Sequence, residues 1–188
     1  MTQFEIHCQE SAPEGAQTLL AGLQRELGFV PKIYGVIAGS PAALEGVMAL
    51  NTSFGASGFS GAEREIISLA TSVANACPYC IAGHTAFALQ EGVPQDIIDA
   101  VREDRPILDP TLEALRSTTR TVVLQRGEIA PDQFAHFCDA GFSKEAFLEL
   151  LLGVAAKTMT NFASKVAGLP ADAEFAAAAR SPEFEHAL

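Results

Sequence analysis

Two thiols, an imidazole and a carboxylate fall within twenty positions of this chain, from Glu65 to His84, in a background of small and apolar residues. Cys77 and Cys80, three apart, can close a disulfide or hold a metal. His84 and Glu65 are the side chains that can move the protons such chemistry needs. At roughly 100° per residue, Cys77, Cys80 and His84 share an arc of about 60° on one helix face. Cys80 and His84 are i,i+4 neighbours, close enough to touch.

Two local effects favour a thiolate, and they point to different sulfurs. The free N–H groups at a helix start stabilise an anion at Cys77. A protonated His84 would stabilise one at Cys80. Glu63 is accounted for by the capping box Ser60-Gly61-Ala62-Glu63. Glu65 lies ten residues before Asn75, and His84 seven after Cys77. Two helices folded back at that point bring Glu65 level with His84, as its hydrogen-bond partner or a proton acceptor. Tyr79 is a supporting residue that packs beside the pair. Cys8 and Cys138 read as packed core cysteines. His7, His136 and His186 have no partners nearby in sequence and read as surface or satisfied residues.

Three chemistries compete for the cluster. The first is thiol redox catalysis. The second is zinc held by Cys77, Cys80, His84 and Glu65, against which stands the lack of a second ligand pair. The third is a glutaredoxin-like domain, since Cys-Pro-Tyr-Cys is its signature. That fold needs a strand before the motif, and here a capped helix precedes it.

The elements that must hold these residues are helices. Leu19 to Leu27 forms a short one ending at Gly28, Pro31 to Ile37 another, and Pro41 to about Phe54 a third. Residues 55–59 are a loop. The capped helix from Ser60 buries Ile66, Leu69, Ala70 and Val73 and closes at Asn75-Ala76. Cys77 is the N-cap of the next helix, with Pro78 at its first position; it runs to about Glu91 and stops at Gly92. Pro94 to Val101, Thr111 to Gln125 and Pro131 to Cys138 are further helices. Ser143 caps a long one to about Val166. The tail from Ala171 reads as helical for a turn or two. No stretch alternates with period two, so the fold class is all-α. Phe59-Ser60 and Phe142-Ser143 each introduce a long apolar helix that reaches an Asn, a faint echo of a duplicated unit.

The 188 residues suit a single domain over 1–188. Hydrophobic residues make up 48% and charged ones 19%, as in globular chains. Twelve Lys and Arg against 23 Asp and Glu give a net charge of −11, which disfavours nucleic acid and anionic membranes as partners. Met1 to Cys8 shows no basic stretch followed by an apolar one, so no signal peptide is expected. The longest apolar run, Phe147 to Ala156, is too short to span a bilayer. The expected setting is cytoplasmic, where a close cysteine pair is catalytic, redox-active or metal-binding. No bound cofactor is expected.

The order Glu65, eleven residues, Cys77-x-x-Cys80, three residues, His84 resembles the alkyl hydroperoxidase D-like (AhpD-like) family of the carboxymuconolactone decarboxylase superfamily. The likeness is specific over Ser60 to Val93. The Pro41 helix and the long helix with Asn161 are similar to a peroxidase-related branch. The resemblance implies an all-helical fold assembled as dimers, trimers or hexamers, and thiol peroxidase activity. It implies Cys80 as the peroxidatic thiol, Cys77 as the resolving one, and Glu65 and His84 as the proton relay. It also implies a peroxide substrate and an external dithiol reductant, a lipoylated protein in the best-known branch. Members of that branch have a His directly before the second Cys; this chain has Tyr79, a poor base near neutral pH.

Overall fold

The structure is a computed structural model and describes residues 4–175. Among these the chain forms nine α-helices, no strand, and a closing 3-10 turn, Ala173–Phe175. The helices are α1 (Glu14–Leu27), α2 (Lys32–Ile37), α3 (Pro41–Gly55), α4 (Gly61–Ala74), α5 (Pro78–Gln90), α6 (Gln95–Arg102), α7 (Pro110–Leu124), α8 (Pro131–Asp139) and α9 (Lys144–Ala167). The all-α reading holds.

α4 is the central element. It packs against α5, α7 and α9, and every residue from Ile66 to Ser72 is buried. A helix enclosed on all sides must satisfy its polar side chains internally. Thr71 and Ser72 do so by donating to the carbonyls of Ile67 and Ser68 at 2.7 and 2.8 Å. The capping box is present: Glu63 N–H donates to Ser60 Oγ at 3.2 Å, and Ser60 N–H to the Glu63 carboxylate at 2.8 Å.

The two Phe-Ser entries meet in space. Ser60 caps α4 and Ser143 caps α9. The rings of Phe59 and Phe142 lie 5.9 Å apart. The asparagines the two helices reach also join, Asn75 Nδ2 donating to Asn161 Oδ1 at 2.9 Å.

Several details differ from expectation. α1 starts at Glu14, one turn and more before Leu19, because Pro13 presets the helical entry. Cys8 is exposed rather than packed, its Sγ 3.6 Å from Ser11 Oγ in the segment before α1. Cys138 does pack against the core, half-buried. Of the tail from Ala171, the described residues form the 3-10 turn Ala173–Phe175; the rest, with His186, lies outside the described residues. Among the described residues no helix is long and apolar enough to cross a membrane.

Candidate active site

The turn between α4 and α5 builds the site. Ala76 takes a left-handed conformation (φ 48°), and Cys77 N–H reaches back to Ser72 O at 3.0 Å, a Schellman closure of α4. A glycine is usual at that position; the alanine costs about 1 kcal/mol of backbone strain. Because α4 ends so abruptly, Cys77 becomes the N-cap of α5 at once. Its Sγ accepts from the Cys80 N–H at 3.4 Å, with Pro78 in the first turn where no N–H is needed.

The antiparallel return of α5 along α4 sets Glu65 opposite His84. His84 Nδ1 lies 2.8 Å from Glu65 Oε2. With Glu65 ionised, Nδ1 carries the proton and Nε2 keeps its lone pair. Burial holds the His84 pKa below the usual imidazole range; Glu65 works against that shift, and the charge of Lys157 adds to it.

Both thiols are free and buried. Cys77 is pulled down to about 6, first by the hydrogen bond it takes from the Cys80 thiol, against the cost of burial. Ser164, the Cys80 N–H and the charge of Lys165 add to the pull. Cys80 is pushed far above the ordinary thiol range, first by its bond to Cys77 and then by burial. Both shifts favour the charge on Cys77 and the proton on Cys80. The Cys80 thiol is the main cause of the lowered Cys77 pKa; the N–H at the helix start adds to it, and His84 is not among the causes. No hydrogen bond joins His84 to either sulfur; its Nδ1 turns to Glu65 instead.

α9 supplies residues that sequence reading did not place at the site. Ser164 Oγ sits 3.0 Å from Cys77 Sγ and 3.7 Å from Cys80 Sγ. Asn161 donates to Ser72 Oγ at 3.2 Å, and Lys165 Nζ to Asn75 O at 3.0 Å, pinning α9 to the α4–α5 turn. The only sequence signal for these residues was Asn161 on the long helix.

Tyr79 is a tether. Its hydroxyl donates to Asp172 and accepts the Ile33 N–H at 3.2 Å. Burial, then Asp172, pushes its pKa well above the phenol range, so it takes no part in proton transfer near neutral pH. Asp172 in turn lies 3.7 Å from Lys32 Nζ. This anchors the chain end so that Phe175 packs between Phe29 and Phe87. A side chain at Gly83 would meet that ring at 3.3 Å, so a glycine on α5 is what lets Phe175 lie there.

A cavity of about 600 Å³ opens beside the cluster. Cys80, His84, Glu65 and Tyr79 line it, with apolar side chains from α1, α2 and α3, while Cys77 stays behind Cys80. Among the described residues no three of His, Cys, Asp and Glu are arranged to hold a metal ion. Of the four residues weighed as zinc ligands, His84 presents Nδ1 to Glu65, and both thiols lie against Ser164.

The sequence profile of the carboxymuconolactone decarboxylase family matches residues 35–116. No curated protein matches the chain in sequence. Among solved structures, an uncharacterized peroxidase-related protein with an alkylhydroperoxidase AhpD core, from Ralstonia eutropha JMP134, is similar with a TM-score of 0.83 at 22% identity. The match covers 96% of this chain and 97% of that one. A peroxidase-related protein from Silicibacter sp. TM1040 is similar with a TM-score of 0.76 at 21% identity, covering 87% of each chain. The debrominase Bmp8 is similar with a TM-score of 0.81 at 17% identity, covering 95% of this chain and 97% of that one. At such identities the likeness is one of fold. The family match runs from the end of α2 through the first half of α7 and includes Glu65, both thiols and His84, so this stretch is similar to the carboxymuconolactone decarboxylase family, and the chain has the AhpD-like all-helical fold.

Proposed function

We propose that this protein is a thiol-dependent peroxidase that reduces organic hydroperoxides through Cys77 and Cys80. One observation carries the proposal. A pair of buried free thiols presents Cys80 to a cavity that the Glu65–His84 pair also lines, while Cys77 sits behind it with its pKa lowered.

The chemistry follows from that arrangement. Ionising Cys80 beside an ionised Cys77 would set two charges side by side. Moving the Cys80 proton to Cys77 avoids this and leaves the charge on Cys80. The Cys80 thiolate attacks the terminal peroxide oxygen; the O–O bond breaks, giving a sulfenic acid and an alkoxide. The alkoxide takes up the Cys77 proton, with the Glu65–His84 pair, which lines the same cavity, as the relay between them. The Cys77 thiolate then attacks the sulfenic sulfur, closing the disulfide. The departing hydroxide leaves as water with a solvent proton. An external dithiol, with a lipoylated protein as the proposed donor, restores both thiols by exchange.

The proposed setting is cytoplasmic and the proposed assembly a homo-oligomer. Supporting the latter, Leu148, Phe162 and Val166 of α9 are exposed apolar side chains on an otherwise packed helix. Light scattering across micromolar concentrations should give a multiple of the 19.8 kDa chain; a monomer throughout contradicts it.

Hydroperoxide consumption with dithiothreitol tests the peroxidase directly. Wild type should turn over, and Cys80→Ser should not; wild-type rates no greater than those of the variant refute the proposal. A second reading has one specific support. The fold relative Bmp8, a debrominase, has been solved as a cysteine-to-alanine variant with 2,3,4-tribromopyrrole, and the cavity here is lined with Phe87, Phe175 and Met48 beside Cys80. Reductive removal of bromide from an aromatic ring uses the same two electrons from the dithiol. Bromide release without hydroperoxide turnover would favour it.

A further inference from the structure

Among the described residues Arg116, Asp172 and Lys157 are buried as whole residues, and the first two have partners. Arg116 is held by Glu113 and Asp104 at 2.8 and 3.0 Å. Asp172 is held by Tyr79 and Lys32. Lys157, on α9, is 8% exposed and lines the cavity. No carboxylate of the described residues lies within 4 Å of its ammonium, and no hydrogen bond satisfies it. A carboxylate bound in the cavity would give that ammonium the counter-ion it lacks.

The rest of the cavity narrows the ligand. Its volume of about 600 Å³ falls among pockets that hold organic molecules of drug size, far above what hydrogen peroxide fills. Leu23, Leu27, Ile33, Met48 and Phe87 give it an apolar wall. Three carboxylates also line it: Glu65 is engaged by His84, and Glu26 and Glu91 are exposed. Lys157 is its one Lys or Arg, in a chain whose net charge is −11.

We propose that the cavity takes a carboxylate-bearing organic substrate, with the Lys157 ammonium as its counter-ion and the apolar wall around its carbon skeleton. For the reacting group, a hydroperoxide, this rests on the peroxidase proposal; the carboxylate rests on Lys157 alone. Lys157 is thereby a specificity-determining residue. Its charge also acts on His84 and disfavours the imidazolium. A bound carboxylate offsets that charge, so the substrate itself readies His84 to accept a proton.

Unreactive probes separate binding from turnover. Calorimetric titration of the reduced protein with octanoate and with 1-octanol compares the same apolar body with and without the charge. Octanoate should bind about tenfold tighter or better to wild type, an advantage of about 1.4 kcal/mol. Lys157→Met should erase that advantage while still binding 1-octanol, and Lys157→Arg should keep it. Equal binding of the two probes by wild type, or an undiminished octanoate preference in Lys157→Met, overturns the proposal. An octanoate preference that needs Lys157, in a protein that consumes no hydroperoxide, sinks the peroxidase and leaves the carboxylate site standing.

Discussion

Among the described residues two apolar cores stand apart, and the Cys77–Cys80 pair sits in one of them. The first gathers buried faces of α4, α6, α7, α8 and α9 around Phe137, which stacks on Phe142 at 4.8 Å and meets Phe147 edge-on at 5.7 Å. The second gathers α1, α2 and α3 around Cys77, Tyr79 and Cys80. α5 straddles both: Cys80 belongs to the second core and Ile81, the next residue, to the first. Aromatic rings fill the first. The second is left open by the cavity, with the polar side chains of Glu65, His84 and Lys157 in its lining. The difference teaches that α5 and the long α9 are shared walls. They carry stability on one face and chemistry on the other.

The largest way to break this division is through the filled core. Phe137→Ala should cost about 3–5 kcal/mol in denaturant unfolding, while the titration of the cysteine pair in the folded variant stays as in wild type. A shifted thiolate titration would mean the two cores are coupled. On the other side, Glu65→Gln should lower kcat about a hundredfold with little change in KM, since it removes the partner of the imidazolium. An unchanged kcat would remove Glu65 from the relay.

The coupling between the sulfurs can be broken from either end. Thiolate absorbance should report one group titrating near 6 in wild type. In Cys80→Ala that step should move up toward an ordinary thiol, about 8.5, because the largest stabilising hydrogen bond is gone. In Cys77→Ala, Cys80 should come down toward the same value. The folded Cys77 value lies below the unfolded one, so its contribution to stability is present above the unfolded thiol pKa and lost as pH falls through about 6. The smallest effect concerns the tether. Tyr79→Phe should cost about 1 kcal/mol, since Lys32 still faces Asp172, and should leave the thiolate titration in place.

The local signals that the sequence carries strongly are the ones that survive folding. The capping box at Ser60, Cys77 as N-cap with Pro78 behind it, and Gly168 after α9 depend on neighbours in the chain. So does the Glu65–His84 contact, which follows from a tight α4–α5 return. Ser164, Lys157 and Asp172 were illegible for the opposite reason. Each lies more than 70 positions from the residue it serves, and only the packing of α9 and of the closing segment brings it there. The Cys80–His84 contact failed because helix geometry says which side chains can meet, and the carboxylate of Glu65 competes better for the imidazole than a neutral thiol does.

The central claim is that Cys77 and Cys80 work as one redox pair with Cys80 facing the substrate. Peptide mass spectrometry under non-reducing conditions, after one equivalent of an organic hydroperoxide, tests it most directly. The account predicts that the peptide containing both residues loses two hydrogens in wild type. In Cys77→Ser it predicts a trapped sulfenic acid on Cys80. An unlinked pair in wild type, or oxidation landing on Cys77 while Cys80 stays a thiol, would contradict it.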